Sequence, residues 1–457
     1  MNITFHGGVG EIGGNKILLE DDQTRIWLDF GASFDWPRGY YVDWLSPRTA
    51  YGLLDYFEFG LLPKLKGLYS EEQLTYTDLA HSDPEYDAVF LSHAHWDHVV
   101  HAALLDHRIP VYCGKTAKRI LEIWQQVSSG YAPALCCPDL ITFRSGDSLK
   151  AGTLTVNPLH VDHSIPGCYG FLVATSAGIV AYTGDLRMHG EAGYLTEDFI
   201  REAIKAKPVA LICEGTRVGG DPPAFRHTEE YVLEESTKIA RKSSGLVIAD
   251  FPRRSFDRLR TFYRVAQASN RSLVISLPLA CLLDHLSDDP HLGGAAEMWK
   301  DCNLKVFFPR KKDGSYDPSN YYVWERDYLD RIVTVEDLRE NQENYLWCLE
   351  LNKFPELISV RPVPGSAYIY SLSEFRSEED PGEKQMEEAM WRWVKHFGLT
   401  RYQIHASGHA PESEIRQMVE RIQPKYLIPV HTEHPEAFQG WGPVVKIPEL
   451  GKSIPIE

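Results

Sequence analysis

Four side chains that can bind a metal ion occur close together near the end of the first hundred residues. The chain reads Leu-Ser-His-Ala-His-Trp-Asp-His from Leu91, so that His93, His95, Asp97 and His98 fall within six residues. Imidazole and carboxylate groups are ligands that zinc and manganese accept. The spacing therefore predicts a metal-binding loop, and the alternative interpretation is a polar turn with histidines on the surface.

The flanking residues predict how this loop is held. The apolar run 88–91 predicts a buried strand, and the apolar spacing over 99–105 predicts a short helix that ends before Pro110. A loop between a strand and a helix presents its side chains from a rigid scaffold.

Three further candidate ligands follow predicted strands later in the chain. His163 lies in His-Val-Asp-His-Ser-Ile-Pro, Asp185 follows Tyr-Thr-Gly, and His431 follows Tyr-Leu-Ile-Pro-Val. A lone histidine after a strand is more often structural than ligating, so each position alone is a weak indication. Two metal ions need more donors than one loop supplies, however, and these residues would complete such a set.

Length, composition and charge limit the classes of function. The 457 residues suggest about two or three domains, and 43% hydrophobic residues allow a sizeable core. No apolar run is long enough to span a membrane. The eight cysteines form no Cys-x-x-Cys motif and the N-terminus lacks a secretory leader pattern, which together predict a cytoplasmic protein. The formal charge of −17 disfavours extensive binding to a nucleic-acid backbone, but allows a short strand to enter a metal-bearing channel.

The patterns change along the chain. Residues 3–30 read as short strands joined by turns, and Gly-Val-Gly-Glu-Ile-Gly from Gly8 matches the dinucleotide fingerprint. That fingerprint needs a helix after the glycines, whereas 16–19 resembles a strand, so a glycine-rich hairpin is favoured. Residues 245–277 instead alternate strand, helix and strand, with Ser255 as the expected helix N-cap, and predict a parallel βαβ unit.

Together these motifs resemble those of the metallo-β-lactamase superfamily. The metal loop and the three later candidates match its ligand series in order, and Asp29 in Leu-Asp-Phe-Gly matches the early aspartate that supports the loop. The resemblance narrows to the β-CASP nucleases, and within them to the ribonuclease J group, on five stretches of sequence. These stretches are residues 7–15, 163–166, 211–216, 405–410 and 428–431.

The resemblance implies an α/β fold, a metallo-β-lactamase αββα sandwich with an inserted β-CASP α/β domain. Residues 1–217 and 396–457 are then expected to form the metallo-β-lactamase domain, and residues 218–395 the inserted domain. The additional C-terminal domain of the ribonuclease J group is expected to be absent, which leaves a homo-oligomer as an open alternative.

Two divalent metal ions are the cofactors that the resemblance implies, with zinc expected and manganese as the alternative. Three ligands are assigned to the first ion, namely His93, His95 and His163. Three are assigned to the second ion, namely Asp97, His98 and His431. Asp185 would bridge the two ions, and Asp29 would support the loop.

The resemblance also implies the catalytic roles. The two metals would activate a water molecule to hydroxide for in-line attack on a phosphodiester, with Asp97 orienting that hydroxide. The departing oxygen needs a proton, and His409 is the candidate general acid, with Glu214 holding its tautomer. The alternative for His409 is a structural histidine in a turn.

Candidate substrate-binding residues lie in three places. The backbone N–H groups of the turn at Ser407, Gly408 and Ala410 could hold a phosphate. Arg253, Arg254 and Arg258 could form a phosphate-binding edge on the inserted domain, although a solvated helix start explains them equally well. Trp36, Tyr40, Tyr41 and Trp44 could stack on unpaired bases, although such aromatic residues more often pack.

The sequence therefore predicts a metal-dependent ribonuclease that processes single-stranded RNA, as an endonuclease, a 5′-exonuclease or both. In the family, histidine at the position of His431 accompanies RNA-processing members. A DNA nuclease of the same fold, a small-molecule metallo-hydrolase and a binding scaffold without catalysis are the alternatives. No membrane partner is expected.

Overall fold

The computed structural model describes residues 1–34, 40–41, 45–127, 139–220, 228–373 and 381–457. The expected stacking positions Trp36 and Trp44 lie outside these residues. Among the described residues, no helix has both the length and the apolar character that crossing a membrane requires.

Strands and helices alternate through most of the described chain. The strands are β1 (Asn2–Phe5), β2 (Lys16–Asp21), β3 (Thr24–Phe30), β4 (Ala88–Leu91), β5 (Val111–Gly114), β6 (Ile141–Phe143), β7 (Leu149–Ala151), β8 (Leu154–Val161), β9 (Cys168–Thr175), β10 (Gly178–Tyr182), β11 (Ala210–Glu214), β12 (Val247–Asp250), β13 (Ser272–Ser276), β14 (Leu304–Phe307), β15 (Ile332–Val333), β16 (Tyr345–Cys348), β17 (Ala367–Tyr370), β18 (Thr400–Gln403), β19 (Tyr426–Val430), β20 (Val444–Val445) and β21 (Ser453–Pro455). The α-helices are α1 (Leu54–Glu58), α2 (Glu71–Leu74), α3 (Trp96–Val99), α4 (Lys115–Val127), α5 (Gly193–Ala206), α6 (Glu229–Lys242), α7 (Phe256–Ala268), α8 (Leu277–Leu286), α9 (Ala295–Lys300), α10 (Val323–Arg326), α11 (Val335–Glu340), α12 (Glu356–Val360), α13 (Pro381–His396) and α14 (Glu412–Ile422).

Two compact units divide the chain. The first combines Met1–Pro222 with Gly408–Glu457, and the second, Pro223–Ser407, interrupts it in sequence.

The first unit contains two seven-stranded sheets that pack face to face. Their strand orders are β21-β1-β2-β3-β4-β5-β6 and β20-β19-β11-β10-β9-β8-β7. Apolar side chains from both sheets, such as Phe90 and Phe171, form one buried cluster between them. Helices α3 and α4 contact the first sheet and α5 contacts the second, which gives the predicted αββα sandwich.

The strand directions determine where polar side chains gather. Strands β3, β4 and β5 run parallel in the first sheet, and β10, β11 and β19 run parallel in the second. Because the carboxyl ends of parallel strands meet at one edge, residues that follow these strands lie together.

The glycine-rich start of the chain is part of the first sheet. Lys16–Asp21 forms a strand, antiparallel to Asn2–Phe5, where a dinucleotide site would need a helix. The exclusion of a dinucleotide site and the hairpin interpretation are confirmed.

The second unit is a parallel α/β sheet with strand order β15-β14-β13-β16-β12-β17-β18. The predicted parallel architecture of residues 245–277 is confirmed, with strand β16 inserted between β12 and β13. Ser255 occupies the N-cap position of α7, as predicted, but its side chain accepts no capping hydrogen bond.

Arg258 is a structural residue of this second unit, so its predicted place on a phosphate-binding edge is wrong. Its side chain is 1% exposed and forms an ion pair with Glu229 at 3.1 Å. All of its N–H groups have acceptors, since the guanidinium also donates to Ser371 and to the carbonyl oxygen of Ala406 at 3.0 Å. This network joins the start of α6 to α7 and to the residues that follow β17.

Replacing Arg258 with alanine should destabilise the second unit by about 3–5 kcal/mol, because Glu229 would stay buried without its partner. Denaturant unfolding of Arg258→Ala measures the effect. Arg310→Ala is the matched control, since Arg310 is 47% exposed in its ion pair with Glu336 and should change stability by less than about 1 kcal/mol. Equal losses in the two variants would contradict the assigned role of Arg258.

Candidate metal centre

The metal loop follows β4 as predicted, but the helix begins earlier than expected, so that Asp97 and His98 lie in α3 and residues 100–104 continue as a 3-10 helix. The strand ends at Leu91 and the helix begins at Trp96, with His95 at its N-cap. Gly14 and Gly31 allow other segments of the backbone to lie close to this loop. The N–H of Gly14 donates to the carbonyl oxygen of Asp97 at 3.1 Å, and a Cβ on Gly31 would lie only 1.8 Å from that same oxygen. The glycine-rich start of the chain therefore packs against the metal loop.

The predicted ligands lie together as two groups that share Asp185. The first group contains His93, His95, His163 and Asp185. The second contains Asp97, His98, Asp185 and His431. Within each group the ligand atoms all lie within 4.8 Å of one another.

Short distances link the two groups through the Asp185 carboxylate. Its Oδ2 atom lies 3.7 Å from Nε2 of His93 and 3.2 Å from Nε2 of His98. On the second side, Oδ2 of Asp97 lies 3.0 Å from Nε2 of His431. Every side chain of the two groups except His95 is buried.

Hydrogen bonds outside the cluster fix the orientation of four imidazoles. Each Nδ1 atom has an oxygen partner, so that Nε2 points into the cluster. The pairs are His93 Nδ1 with Ser92 Oγ (3.0 Å), His98 Nδ1 with Asp29 Oδ2 (2.7 Å), His163 Nδ1 with the carbonyl oxygen of Gly408 (2.6 Å) and His431 Nδ1 with Thr216 Oγ1 (2.8 Å). A proton held on Nδ1 leaves the Nε2 lone pair available for a metal ion.

Asp29 anchors the loop through its carboxylate. It accepts hydrogen bonds from the N–H of Ser92 at 2.6 Å and from the Ser92 hydroxyl at 2.8 Å. The phenol of Tyr182 donates to the same carboxylate at 2.6 Å, and Nδ1 of His98 lies 2.7 Å from it. The carboxylate thus connects the end of β3 to the metal loop and to β10.

The donor set fits divalent cations. Oδ1 of Asp185 is buried without a hydrogen-bond partner among the described residues, which is costly for a carboxylate oxygen. Burial lowers the pKa of His93 and His163, and neighbouring histidines add to this effect. Neutral imidazole is the form that binds metal.

The two carboxylates that face the histidines remain ionised. Burial opposes ionisation of Asp97 and Asp185, but His98 and His431 outweigh it and hold the pKa of both carboxyl groups well below the usual range. A metal ion bound here would replace the positive charge of these imidazoles as the partner of the two carboxylates.

His409 and Glu214 lie beside the second group. Nδ1 of His409 is 3.0 Å from Glu214 Oε2 and 4.0 Å from Asp185 Oδ2. Burial lowers the pKa of His409, but the carboxylates of Glu214 and Asp185 outweigh burial and raise it to about 9. The hydroxyl of Thr216 donates to Glu214 Oε2 at 2.9 Å and also contacts the imidazole of His431.

The predicted phosphate-binding groups have different surroundings. The N–H of Ala410 donates to the carbonyl oxygen of Leu186 at 2.8 Å, so this amide is already engaged within the fold. Gly408 lies so close to His163 that a Cβ there would be 3.1 Å from its Cε1 atom. Ser407 is the last residue of the second unit.

Two arginines of the second unit were also expected to bind phosphate. Arg253 donates to the carboxylate of Glu350, and Arg254 follows it in the turn before α7. Both side chains are partly buried.

Some residues of the site were not selected from the sequence. Ser92 and Thr216 orient ligands, and Tyr182 donates to Asp29. Their only sequence signal is adjacency, because Ser92 precedes His93 and Thr216 lies two residues after Glu214. Hydroxyl groups at such positions are common, so spacing alone does not identify them.

Two known protein families match this chain. Residues 69–232, which include the metal loop, match the family described as "Beta-lactamase superfamily domain". Residues 398–439, which include His409 and His431, match the family described as "Zn-dependent metallo-hydrolase RNA specificity domain".

Curated relatives match over nearly the whole chain. Ribonuclease J of Sinorhizobium meliloti is 24% identical over 93% of this chain and 68% of its own length. Ribonuclease J of Mycoplasma genitalium is 23% identical over 93% and 67%. Ribonuclease J of Helicobacter pylori strain J99 is 21% identical over 95% of this chain and 56% of its own length.

A solved structure shares the fold over both full chains. The crystal structure of a protein of unknown function from Enterococcus faecalis V583 matches with a TM-score of 0.75 and 24% identity, and the match covers 99% of each chain.

Replacing Gly31 with alanine should displace the metal loop, because the added Cβ would lie 2.3 Å from the His98 backbone nitrogen. We expect less metal per chain, measured by emission spectrometry. Added zinc at one hundred times Kd should stabilise the wild type by about 2.7 kcal/mol and the variant by less.

Gly293→Ala is the matched control, since a Cβ there would meet no atom within 4 Å. Metal content and zinc-dependent stabilisation equal to wild type in Gly31→Ala would contradict the described packing.

Proposed function

We propose that this chain, which is similar to ribonuclease J and matches a β-lactamase superfamily domain, cleaves phosphodiester bonds of single-stranded RNA with two divalent metal ions. The observation that carries this proposal is the pair of buried donor groups that share Asp185, with His409 and Glu214 beside them.

The proposed ligand assignment follows the two groups. His93, His95 and His163 would hold one ion, and Asp97, His98 and His431 would hold the other, with Asp185 facing both. Histidine-rich donors favour zinc, as the family description does, and manganese is the alternative. Divalent ions in such a site act as Lewis acids and lower the pKa of water.

The proposed acid is His409, which would protonate the departing oxygen of the substrate. Its Nδ1 atom faces the carboxylate of Glu214, so the proton to be transferred would leave from Nε2. The same carboxylate accepts a hydrogen bond from the N–H of Leu186 at 2.8 Å, next to Asp185. Glu214 would therefore hold the acid at a constant position relative to the shared ligand, while Asp97 would orient the attacking nucleophile.

RNA is the proposed substrate because of the proteins to which this chain is similar, and the net charge is compatible with it. The family that matches residues 398–439 is described as an RNA specificity domain, and the curated relatives are ribonucleases. The chain carries a formal charge of −17, which suits a short single strand that reaches a cation-bearing site better than a long duplex bound along its backbone. Gly408 and Ser407 remain proposed phosphate contacts, and Arg253 and Arg254 could contribute on the second unit.

Replacing His409 with alanine should lower kcat on RNA by about 10²–10⁴-fold while leaving metal content unchanged, because the residue would donate a proton and bind no metal. Glu214→Gln should lower kcat less, since its amide oxygen can still accept from the imidazole. His107→Ala is a control, since this histidine side chain is 74% exposed. An unchanged kcat in His409→Ala would remove this residue from the mechanism.

Single-stranded RNA should be cleaved with a higher kcat/KM than DNA of the same sequence. Substrates labelled at the 5′ or the 3′ end, incubated with zinc or manganese, would also give the direction of cleavage. Asp185→Asn, which removes the shared charge, should abolish cleavage and reveal any contaminating nuclease. Preference for DNA, or activity on small phosphodiesters alone, would contradict the proposal.

A further inference from the structure

We propose that Phe34 is a stacking platform for an unpaired base of the RNA substrate, next to the metal centre. The inference rests on the proposed ribonuclease function and adds a base-binding position to it. Phe34 is 61% exposed although it is a large apolar side chain. Single exposed apolar residues are common, so exposure alone does not indicate a function for Phe34. The proposal rests on the position of Phe34 next to the proposed metal ligands.

Gly13 defines that position. A Cβ built on this glycine would lie 2.8 Å from Cβ of Asp97, 3.1 Å from Asp97 Oδ2 and 3.0 Å from Cδ2 of Phe34. An edge atom of the aromatic ring and an oxygen of the metal-loop carboxylate thus both lie within 3.1 Å of the same point. We infer that a base next to a phosphodiester bound at Asp97 would reach this ring.

The backbone holds Phe34 in place relative to the loop. Its N–H donates to the carbonyl oxygen of Ile12 at 3.4 Å, and the preceding residue, Ser33, forms a β-bridge with Gly13. The next glycine, Gly14, donates to the Asp97 backbone. A side chain on a backbone that is already ordered loses little entropy when a base stacks on it.

A nucleobase suits this ring better than the other ligands of a phosphodiesterase would. A phosphate or sugar gains little from an aromatic face, whereas every base has a π-face that stacks on one. Of the four aromatic residues selected from the sequence, the two that the structure describes, Tyr40 and Tyr41, already pack within the fold. Tyr41 is only 8% exposed, and the ring of Tyr40 stacks on Phe59 with centroids 4.3 Å apart.

The test uses a series of single-stranded RNAs in which one base at a time is removed while the backbone stays intact. With the wild type, loss of the stacked base should raise KM roughly tenfold at one position near the cleavage site. Phe34→Ala should raise KM for the intact RNA by a similar factor. In this variant, removing the base at that one position should raise KM no further, while abasic sites elsewhere should act as in the wild type. Phe34→Trp should retain the wild-type pattern, and Phe34→Leu, which lacks a π-face, should resemble Phe34→Ala.

Tyr194→Ala is the matched control, because Tyr194 is 66% exposed on α5 and should behave as wild type. Metal content must be unchanged in all variants, which separates stacking from damage to the metal loop. If Phe34→Ala keeps the wild-type abasic pattern, or if Phe34→Leu behaves as wild type, the stacking proposal is overturned while the ribonuclease proposal stands. Absence of RNA cleavage by the wild type would overturn both.

Discussion

The buried carboxylate of Asp29 is the contact on which the metal centre depends. An ionised carboxylate in a protein interior is costly unless hydrogen bonds replace its lost hydration. Asp29 meets this requirement with donors from Ser92 and His98 of the metal loop and from Tyr182 of β10. The interaction that satisfies the charge therefore also sets the orientation of a proposed metal ligand and ties the metal loop to both sheets.

The metal centre also depends on left-handed backbone conformations near the ends of strands. Asp29 and His431 adopt left-handed φ angles of 59° and 53°, which cost roughly 1–2 kcal/mol each in residues other than glycine. Gly184 adopts a similar angle of 55° immediately before Asp185, and a Cβ there would lie 2.7 Å from the carbonyl oxygen of Tyr169. Such strain persists where surrounding contacts fix the chain, and here it occurs near the end of β3 and directly after β19.

Sequence patterns predict secondary-structure elements, which follow from hydrophobic periodicity, and candidate metal ligands, which follow from residue type. The strand, loop and helix around His93 were predictable because an apolar run followed by clustered donors leaves few alternatives. Arg258 was misinterpreted because adjacent arginines at a helix start resemble a solvated face. Its burial is decided by Glu229, which lies 29 residues earlier in sequence and becomes a neighbour only when α6 packs on α7.

Hydrogen-bond partners are the part that sequence patterns predict least. Thr216 contacts His431, which lies 215 residues away, and no local pattern encodes that pairing. The amide of Ala410 illustrates the same limit, since its engagement by Leu186 depends on how two distant loops meet. Chemical type indicates which side chains can bind metal or transfer protons, whereas tertiary packing determines which polar groups remain available to substrate.

Glu214 couples the proposed proton donor to the proposed metal site. One of its oxygens accepts from the N–H of Leu186, beside Asp185, and the other accepts from Thr216, which also contacts His431. Both oxygens lie about as close to Nδ1 of His409, at 3.1 and 3.0 Å. Movement of the Asp185 turn would thus shift the acid together with the ligands, so that the distance between the proton donor and the reacting phosphate is conserved. A proton donor on a separate loop would have to be positioned again for each substrate. The Glu214 carboxylate instead makes His409 and the proposed metal ligands parts of one hydrogen-bond network.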